Sequence, residues 1–130
     1  MAGACWGGVV LYVKDLPALT AFYAGVLEVP VANREPDHAV LAVGGAAFTL
    51  VQMPPHIAST VVIARPPQRR EDTPLKPVFN VPELQRARER VNASGGEMNP
   101  QQRQWSWQGR TVCDGHDPEG NVFQLSAPGA

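Results

Sequence analysis

The chain has 130 residues and a mass of 14.0 kDa, and its 44% hydrophobic and 18% charged residues are typical of one folded globular domain. Its formal net charge is −1 with scattered basic residues, which disfavours nucleic acid and anionic membranes as partners. No apolar run is long enough to span a membrane, and the N-terminus lacks a signal-peptide pattern. We therefore expect a cytoplasmic protein with no membrane partner, in which Cys5 and Cys113 are reduced thiols.

The first part of the chain, about residues 7–52, predicts a strand, a helix and three more strands. Apolar side chains alternate from Val9 to Val13, as they do in a half-buried strand. Asp15 is a suitable cap for a helix that Pro30 must end. The helix repeats apolar side chains at helical spacing, in Leu16, Leu19, Phe22, Tyr23 and Val26. The three later strands are expected at Val31 to Arg34, Ala39 to Val43 and Ala46 to Gln52. We name this unit module 1.

A connector of residues 53–75 follows module 1. Two Pro-Pro pairs and a cluster of charged residues predict solvated backbone without regular structure. Within it, Ser59 to Ile63 is apolar and β-branched, so we interpret it as an arm lying on a sheet edge or on a second subunit. An irregular loop is the alternative.

The last part, about residues 76–127, predicts a second unit of the same kind, module 2. Its first strand is expected from Lys76 to Val81, and its helix begins at Pro82 and ends at Gly95-Gly96. A strand from Gln104 to Gln108 would direct Trp105 and Trp107 to one side. The sequence Asp117-Pro118-Glu119-Gly120 suits a type I turn that leads into the last strand.

Two stretches of module 1 match stretches of module 2 in the same order. Gly45 to Val51 can be superposed on Gly120 to Ser126, and Val13 to Leu16 on Val81 to Leu84. The two matches have nearly the same spacing, which indicates an internal duplication of a strand, a helix and a short meander of strands. Chance similarity between short apolar runs is the alternative.

The ordered pattern resembles the vicinal oxygen chelate superfamily, which includes glyoxalase I, extradiol dioxygenases, fosfomycin-resistance proteins and bleomycin-resistance drug-binding proteins. The resemblance rests on Val9 to Leu16, then Phe22-Tyr23 with Val26-Leu27, then Asp117 to Asn121 with Phe123 to Leu125. It implies a single glyoxalase/bleomycin-resistance-like domain over residues 1–130. The implied fold class is α+β, with two βαβββ modules forming a curled mixed sheet around a central cup. A homodimer commonly completes that cup.

The resemblance also locates the metal ligands of metal-dependent members, on the first and fourth strands of each module. The matching residues here are Gly8, Thr49, Lys76 and Gln124. None is a histidine or a carboxylate, and an ammonium repels a cation, so we predict no metal and no cofactor. No catalytic residue is identified, and the prediction leans away from an enzyme.

A metal-dependent lyase or dioxygenase with ligands elsewhere is the alternative, with His38 or His116 among them. We interpret His116, which stands between Asp114 and Asp117, as part of a solvated turn.

A cup without a metal can still bind a small organic molecule. The floor of the cup is expected to carry Tyr12, Thr49, Lys76 and Gln124, and its wall Trp105 and Trp107. Flat indoles and a few donors suit a planar, polar ligand, held by sequestration without covalent chemistry. In the remaining alternatives the tryptophans fill the core between the modules, or the cup is closed and the protein has an interaction or structural role.

Overall fold

The computed structural model describes residues 3–129, so Met1, Ala2 and Ala130 of the predicted domain lie outside the described residues. Module 1 contains β1 (Gly8–Val13), α1 (Leu16–Leu27), β2 (Val31–Arg34), β3 (His38–Val43) and β4 (Ala46–Gln52). The connector contains the short helix α2 (Pro55–Ala58). Module 2 contains β5 (Val78–Asn80), α3 (Leu84–Ala93), β6 (Glu97–Met98), a 3-10 turn (Gln101–Arg103), β7 (Trp105–Trp107), β8 (Arg110–His116) and β9 (Val122–Pro128). Within these residues, no helix is long and apolar enough to cross a membrane.

The two modules have the same topology. The first sheet has the order β1-β4-β3-β2, and the second has the order β5-β9-β8-β6, with β7 also paired to β8. In each module the first strand runs parallel to the fourth, and the other pairs are antiparallel. The second strand of module 2 is interrupted, because residues 99–104 separate its two halves, β6 and β7. The predicted α+β fold of two βαβββ modules in curled, mixed sheets is confirmed.

One continuous apolar core joins the modules. Tyr23 of α1 lies at its centre, with its ring centroid 4.9 Å from that of Phe48 and 6.0 Å from those of Phe79 and Phe123. Each sheet directs alternate side chains toward this core, because neighbouring residues of a strand face opposite ways. The fully buried residues include Val13, Leu19, Leu41, Leu50, Val91, Cys113 and Leu125. The other face of each sheet, directed away from the core, is called the cup face below.

The helices begin and end close to the predicted residues. The Asp15 carboxylate accepts a hydrogen bond from the Ala18 amide at 3.1 Å, which confirms the predicted cap. α3 begins at Leu84, two residues after the predicted Pro82. It ends at Ala93, shortly before Gly95, whose φ of +92° suits glycine.

The turn between β8 and β9 is buried, so the prediction of a solvated turn is wrong. His116 is the last residue of β8 and is only 6% exposed, and Asp117 is fully buried. The Asp117 carboxylate accepts hydrogen bonds from the Tyr23 hydroxyl at 2.6 Å and the Asn121 amide at 2.9 Å. The Glu119 carboxylate accepts the backbone amides of Lys14 and Asp15 from module 1. These partners replace water, so the turn can be buried between the modules.

The connector reaches the edge of module 2 through Arg70. Ser59 to Ile63 forms turn and irregular backbone and pairs with no strand of the described residues, and its contact with a second subunit stays a prediction. The edge contact is made by Arg70, whose backbone amide donates to the Gly120 carbonyl at 2.8 Å. A Cβ on Gly120 would lie 2.0 Å from the Gln68 carbonyl oxygen, so this close approach requires glycine.

Candidate ligand-binding site

The cup face of module 1 carries two of the predicted site residues. Tyr12 of β1 and Thr49 of β4 both alternate with core residues, so both side chains lie on this face. They are not direct partners: Thr49 pairs with Val10, two residues before Tyr12, and Tyr12 pairs with Val51. Tyr12 is 58% exposed, which leaves the phenol open on the surface of the chain.

The cup face of module 2 brings two other predicted residues to a carboxylate and a third beside one of them. The Lys76 ammonium donates to Oδ2 of Asp114 at 2.9 Å, and the Gln124 side-chain amide approaches Oδ1 at 3.3 Å. The same ammonium lies 6.0 Å from the centroid of the Trp105 ring, at the limit of a cation–π contact. Lys76, Asp114, Gln124 and Trp105 are called the Lys76–Asp114 cluster below.

Asp114 was not predicted as a site residue, although the sequence contains a signal for it. A tight turn fixes the register of the two strands it joins. The turn that begins at Asp117 places Asp114 directly opposite Gln124. Side chains of paired residues share one face of a sheet, so the position of Gln124 also gives that of Asp114.

The two tryptophans lie outside the core, which excludes the alternative in which they fill the space between the modules. Trp105 is 38% exposed and Trp107 is 59% exposed. Trp107 is paired with Arg110, whose Nε donates to the Ser126 hydroxyl at 2.7 Å. Trp107 therefore lies at the far end of β7, beside a fixed guanidinium and two residues from the Lys76–Asp114 cluster.

The residues at the four family metal positions do not fit a divalent ion. Gly8 has a φ of +143°, and a Cβ built on it would lie 1.8 Å from the Ala47 carbonyl oxygen. The backbone therefore has no room for a histidine or carboxylate at this position without a shift of β1. The positive charge of Lys76 is held at the third position by Asp114. Thr49 and Gln124 offer only neutral oxygens, which are weak ligands when alone.

The alternative ligands, His38 and His116, do not form a metal centre elsewhere. Nδ1 of His38 contacts Asp37 at 2.8 Å, and Nδ1 of His116 accepts a hydrogen bond from Arg69 at 2.9 Å. Across residues 3–129, no group of three or more histidine, cysteine, aspartate or glutamate side chains is placed to hold a metal ion.

Open space adjoins the Lys76–Asp114 cluster on two sides. A polar cleft of about 360 Å³ is lined by Lys76, Asp114 and three arginines of the connector and 3-10 turn, Arg69, Arg70 and Arg103. An apolar cleft of about 560 Å³ lies between β1, β4 and β5, with Phe48 and Val78 in its lining. Lys76 lines both clefts, and its side chain is 39% exposed, so a small molecule can reach it.

Comparisons with known proteins agree with this fold. No curated protein matches the sequence. A fosfomycin resistance protein from Listeria monocytogenes, crystallised with Mn(II) and sulfate, is 19% identical with a TM-score of 0.69, over 98% of this chain and 92% of that chain. A fosfomycin resistance protein from Mesorhizobium loti is 15% identical with a TM-score of 0.66, over 98% and 93% of the two chains. A glyoxalase/bleomycin resistance protein from Albidiferax ferrireducens is 14% identical with a TM-score of 0.68, over 94% and 97%.

These likenesses show a shared fold, and the family model for the glyoxalase-like domain matches residues 8–126. That match covers most of the chain and both modules. The chain therefore belongs to the glyoxalase-like domain family, within the vicinal oxygen chelate superfamily.

Proposed function

We propose that the chain is a metal-free small-molecule-binding protein of the glyoxalase and bleomycin-resistance type, which sequesters a planar polar organic ligand in its cup. The Lys76–Asp114 cluster is the observation that carries the proposal. It contains an ammonium, a carboxylate, an amide and an indole. Two of its members, Lys76 and Gln124, stand at positions that the family resemblance matches to metal ligands. Such a set recognises a ligand by hydrogen bonds and stacking and needs no electrophile.

The cluster suits a ligand that carries both an acceptor and a donor on a flat ring. The Lys76 ammonium has three N–H donors, of which one is used by Asp114, so two remain for an oxygen of the ligand. The Asp114 carboxylate retains acceptor capacity for an N–H or O–H group. Trp105 supplies an indole face beside the ammonium, on which a planar ring can stack. Trp107, two residues further along β7, extends this surface.

The cup faces support a homodimer as part of the proposal. Val10 of module 1 is 55% exposed and Val78 of module 2 is 54% exposed, and both lie among the predicted site residues. Apolar surface of this kind is usually covered by a ligand or by another protein surface. In such a dimer, Tyr12 and Thr49 of one chain would lie close to a ligand bound at the Lys76–Asp114 cluster of the other chain.

A metal-dependent lyase or dioxygenase is the alternative function. The observation in its favour is the Mn(II)-containing fosfomycin resistance protein of the same fold. The donor set of this chain argues against it, since Gly8 leaves no room for a ligand-bearing side chain. Activity that a chelator abolishes and added metal restores would favour the enzyme.

Tryptophan fluorescence tests the proposal, because Trp105 lies within the cluster. The untagged chain is titrated with a panel of planar antibiotics and metabolites in the presence of a chelator. We expect a saturable response to at least one compound, and about ten-fold weaker binding for Lys76→Met. Arg34→Met removes one exposed positive charge from β2 and is the control, with unchanged binding expected. A panel without any response, or equal binding by Lys76→Met, would contradict the proposal.

A further inference from the structure

A second cleft carries several arginines in its lining and extends away from the Lys76–Asp114 cluster. It has a volume of about 760 Å³ and lies between α3, β6, the 3-10 turn and the connector. Arg69, Arg88 and Arg103 line it, each from a different one of these segments, and we name it the arginine cleft. It shares Arg69 and Arg103 with the polar cleft beside Lys76, whereas Arg88 lines the arginine cleft and not the polar one.

The three guanidinium groups have no carboxylate partner. The ion pairs within residues 3–129 join Lys76 to Asp114, His38 to Asp37, and both Arg86 and Arg90 to Glu28. Glu71 and Glu97 also line the arginine cleft, but both are exposed and neither pairs with an arginine there. The cleft therefore presents three cations, of which none is neutralised by direct contact.

Arg69 is held by neutral groups only. Its Nε donates to Nδ1 of His116 at 2.9 Å, and Nη1 donates to the side-chain oxygen of Asn99. Because Nδ1 of His116 is an acceptor, the proton of the neutral ring lies on Nε2, which is a further donor in the lining. Burial lowers the pKa of His116, and the charge of Arg69 lowers it further. These contacts fix the Arg69 guanidinium in place without neutralising its charge.

Arg88 is buried and likewise lacks a counter-charge. It is 9% exposed, and its terminal nitrogens donate to the side-chain oxygens of Gln85 and Gln104 and to the Cys113 sulfur. Its Nε is the one buried side-chain nitrogen or oxygen in the described part of the chain that lacks a hydrogen-bond partner. A buried cation without a counter-charge is costly, and an orphaned donor adds to that cost. An anion bound beside the guanidinium would supply the missing counter-charge.

We propose that the arginine cleft binds a phosphate group, held between Arg69, Arg88 and Arg103. A planar guanidinium presents a fork of N–H donors that matches the oxygens of a phosphate. Three such forks from three chain segments suit a tetrahedral group with several acceptor oxygens better than a carboxylate with two. Arg88 lines the arginine cleft but not the polar cleft beside the Lys76–Asp114 cluster, so an Arg88 variant distinguishes the two sites.

Calorimetric titration of the untagged chain with inorganic phosphate in a chloride buffer tests this site, with sodium chloride of equal ionic strength as the blank. We expect one saturable event, weakened about ten-fold by Arg103→Gln, whose side chain is exposed and can be replaced without loss of the fold. Arg88→Lys keeps the charge but loses the fork, and should weaken binding to a similar degree. Arg34→Gln is the control for charge and should bind like the wild type.

Circular dichroism and thermal melting establish that each variant is folded before titration. Absence of saturable heat for the wild type would overturn the proposal. So would equal binding by Arg103→Gln and the wild type, or tighter binding of acetate than of phosphate. An unchanged affinity in a folded Arg88→Lys variant would assign the phosphate to the polar cleft, which also overturns it.

Discussion

A single glycine gives the strongest argument against a metal ion at the position that the family resemblance assigns to a ligand. Gly8 pairs with Ala47 at the start of β1, on the cup face. Its φ of +143° and the Ala47 carbonyl at 1.8 Å from an added Cβ leave space for glycine alone. The residue type and the backbone both argue against a metal ligand at this position, because a histidine here would require the start of β1 to move.

Gly8→Ala should lower the free energy of unfolding by about 2 kcal/mol or more, because the new methyl group meets backbone atoms and the φ is strained. Urea unfolding measures the change. Gly25→Ala is the matched control: Gly25 is an exposed position of α1 where an added Cβ meets nothing within 4 Å. That change should stabilise the chain by about 0.5–1 kcal/mol. A Gly8→Ala variant as stable as the wild type would show that β1 has room for a ligand-bearing residue.

The Tyr23–Asp117 hydrogen bond predicts a pH-dependent effect at residue scale. Burial raises the pKa of Asp117 from its ordinary 3.8, and the hydrogen bond from Tyr23 partly opposes that rise. The pKa of Tyr23 is also raised, chiefly by burial, so its hydroxyl remains a donor. A carboxyl with a raised pKa binds its proton more tightly in the folded state than in the unfolded state. Its contribution to stability therefore falls as pH rises from about 3.8 through the folded pKa.

Tyr23→Phe removes the opposing hydrogen bond and raises the pKa of Asp117 further. Tyr23→Phe should therefore lower the free energy of unfolding more above the folded pKa of Asp117 than below pH about 3.8. The loss at neutral pH should be about 1–3 kcal/mol. Urea unfolding at acid and neutral pH measures both values. Tyr12→Phe removes an exposed hydroxyl and should show no such difference. An equal loss for Tyr23→Phe at both pH values would contradict the account.

At the scale of elements, the turn between β8 and β9 holds the start of α1. The Glu119 carboxylate is 4% exposed and accepts the amides of Lys14 at 2.8 Å and Asp15 at 2.7 Å. Without it, two backbone donors at the β1–α1 junction lose their acceptor. The turn therefore connects module 2 to the first helix of module 1.

Glu119→Ala should lower the free energy of unfolding by about 2–3 kcal/mol, since hydrogen bonds to a charged, buried acceptor are lost. Glu35→Ala replaces an exposed carboxylate between β2 and β3 and should change the free energy of unfolding by less than about 0.5 kcal/mol. Chemical denaturation of both variants measures the difference. Similar values for the two would mean that the turn does not stabilise the junction.

Strand alternation predicted which side chains share the cup face of module 2, but local patterns missed the contacts between segments. Trp105, Asp114 and Gln124 share a face because of their register. Lys76 precedes β5 instead of lying in it as predicted, and it reaches Asp114 through its long side chain. Arg69 was missed because the connector has no periodicity that fixes the direction of a side chain. His116 and Asp117 were predicted as solvated because their burial depends on Tyr23 and Arg69, which are distant in the sequence.

In the molecule as a whole, the duplication predicted two units of a strand, a helix and a meander of strands, and the family resemblance implied that their sheets curl around a cup. The core around Tyr23 then joins the two units through side chains that both patterns mark as apolar. The complete cup could not be predicted in the same way. The chain alone leaves four side chains of the cup faces more than half exposed, those of Val10, Tyr12, Val78 and Trp107. The hydrophobic periodicity of one chain cannot predict which ligand or protein surface covers these side chains.

The metal content of the chain separates a metal-free binding protein from a metal-dependent enzyme. Protein purified without a histidine tag is assayed for divalent ions per chain, before and after dialysis against a mixture of them. We expect a content close to zero in both samples, because Gly8 and Lys76 leave no donor set for an ion. About one tightly held ion per chain would contradict it and make the metal-dependent enzyme the leading function.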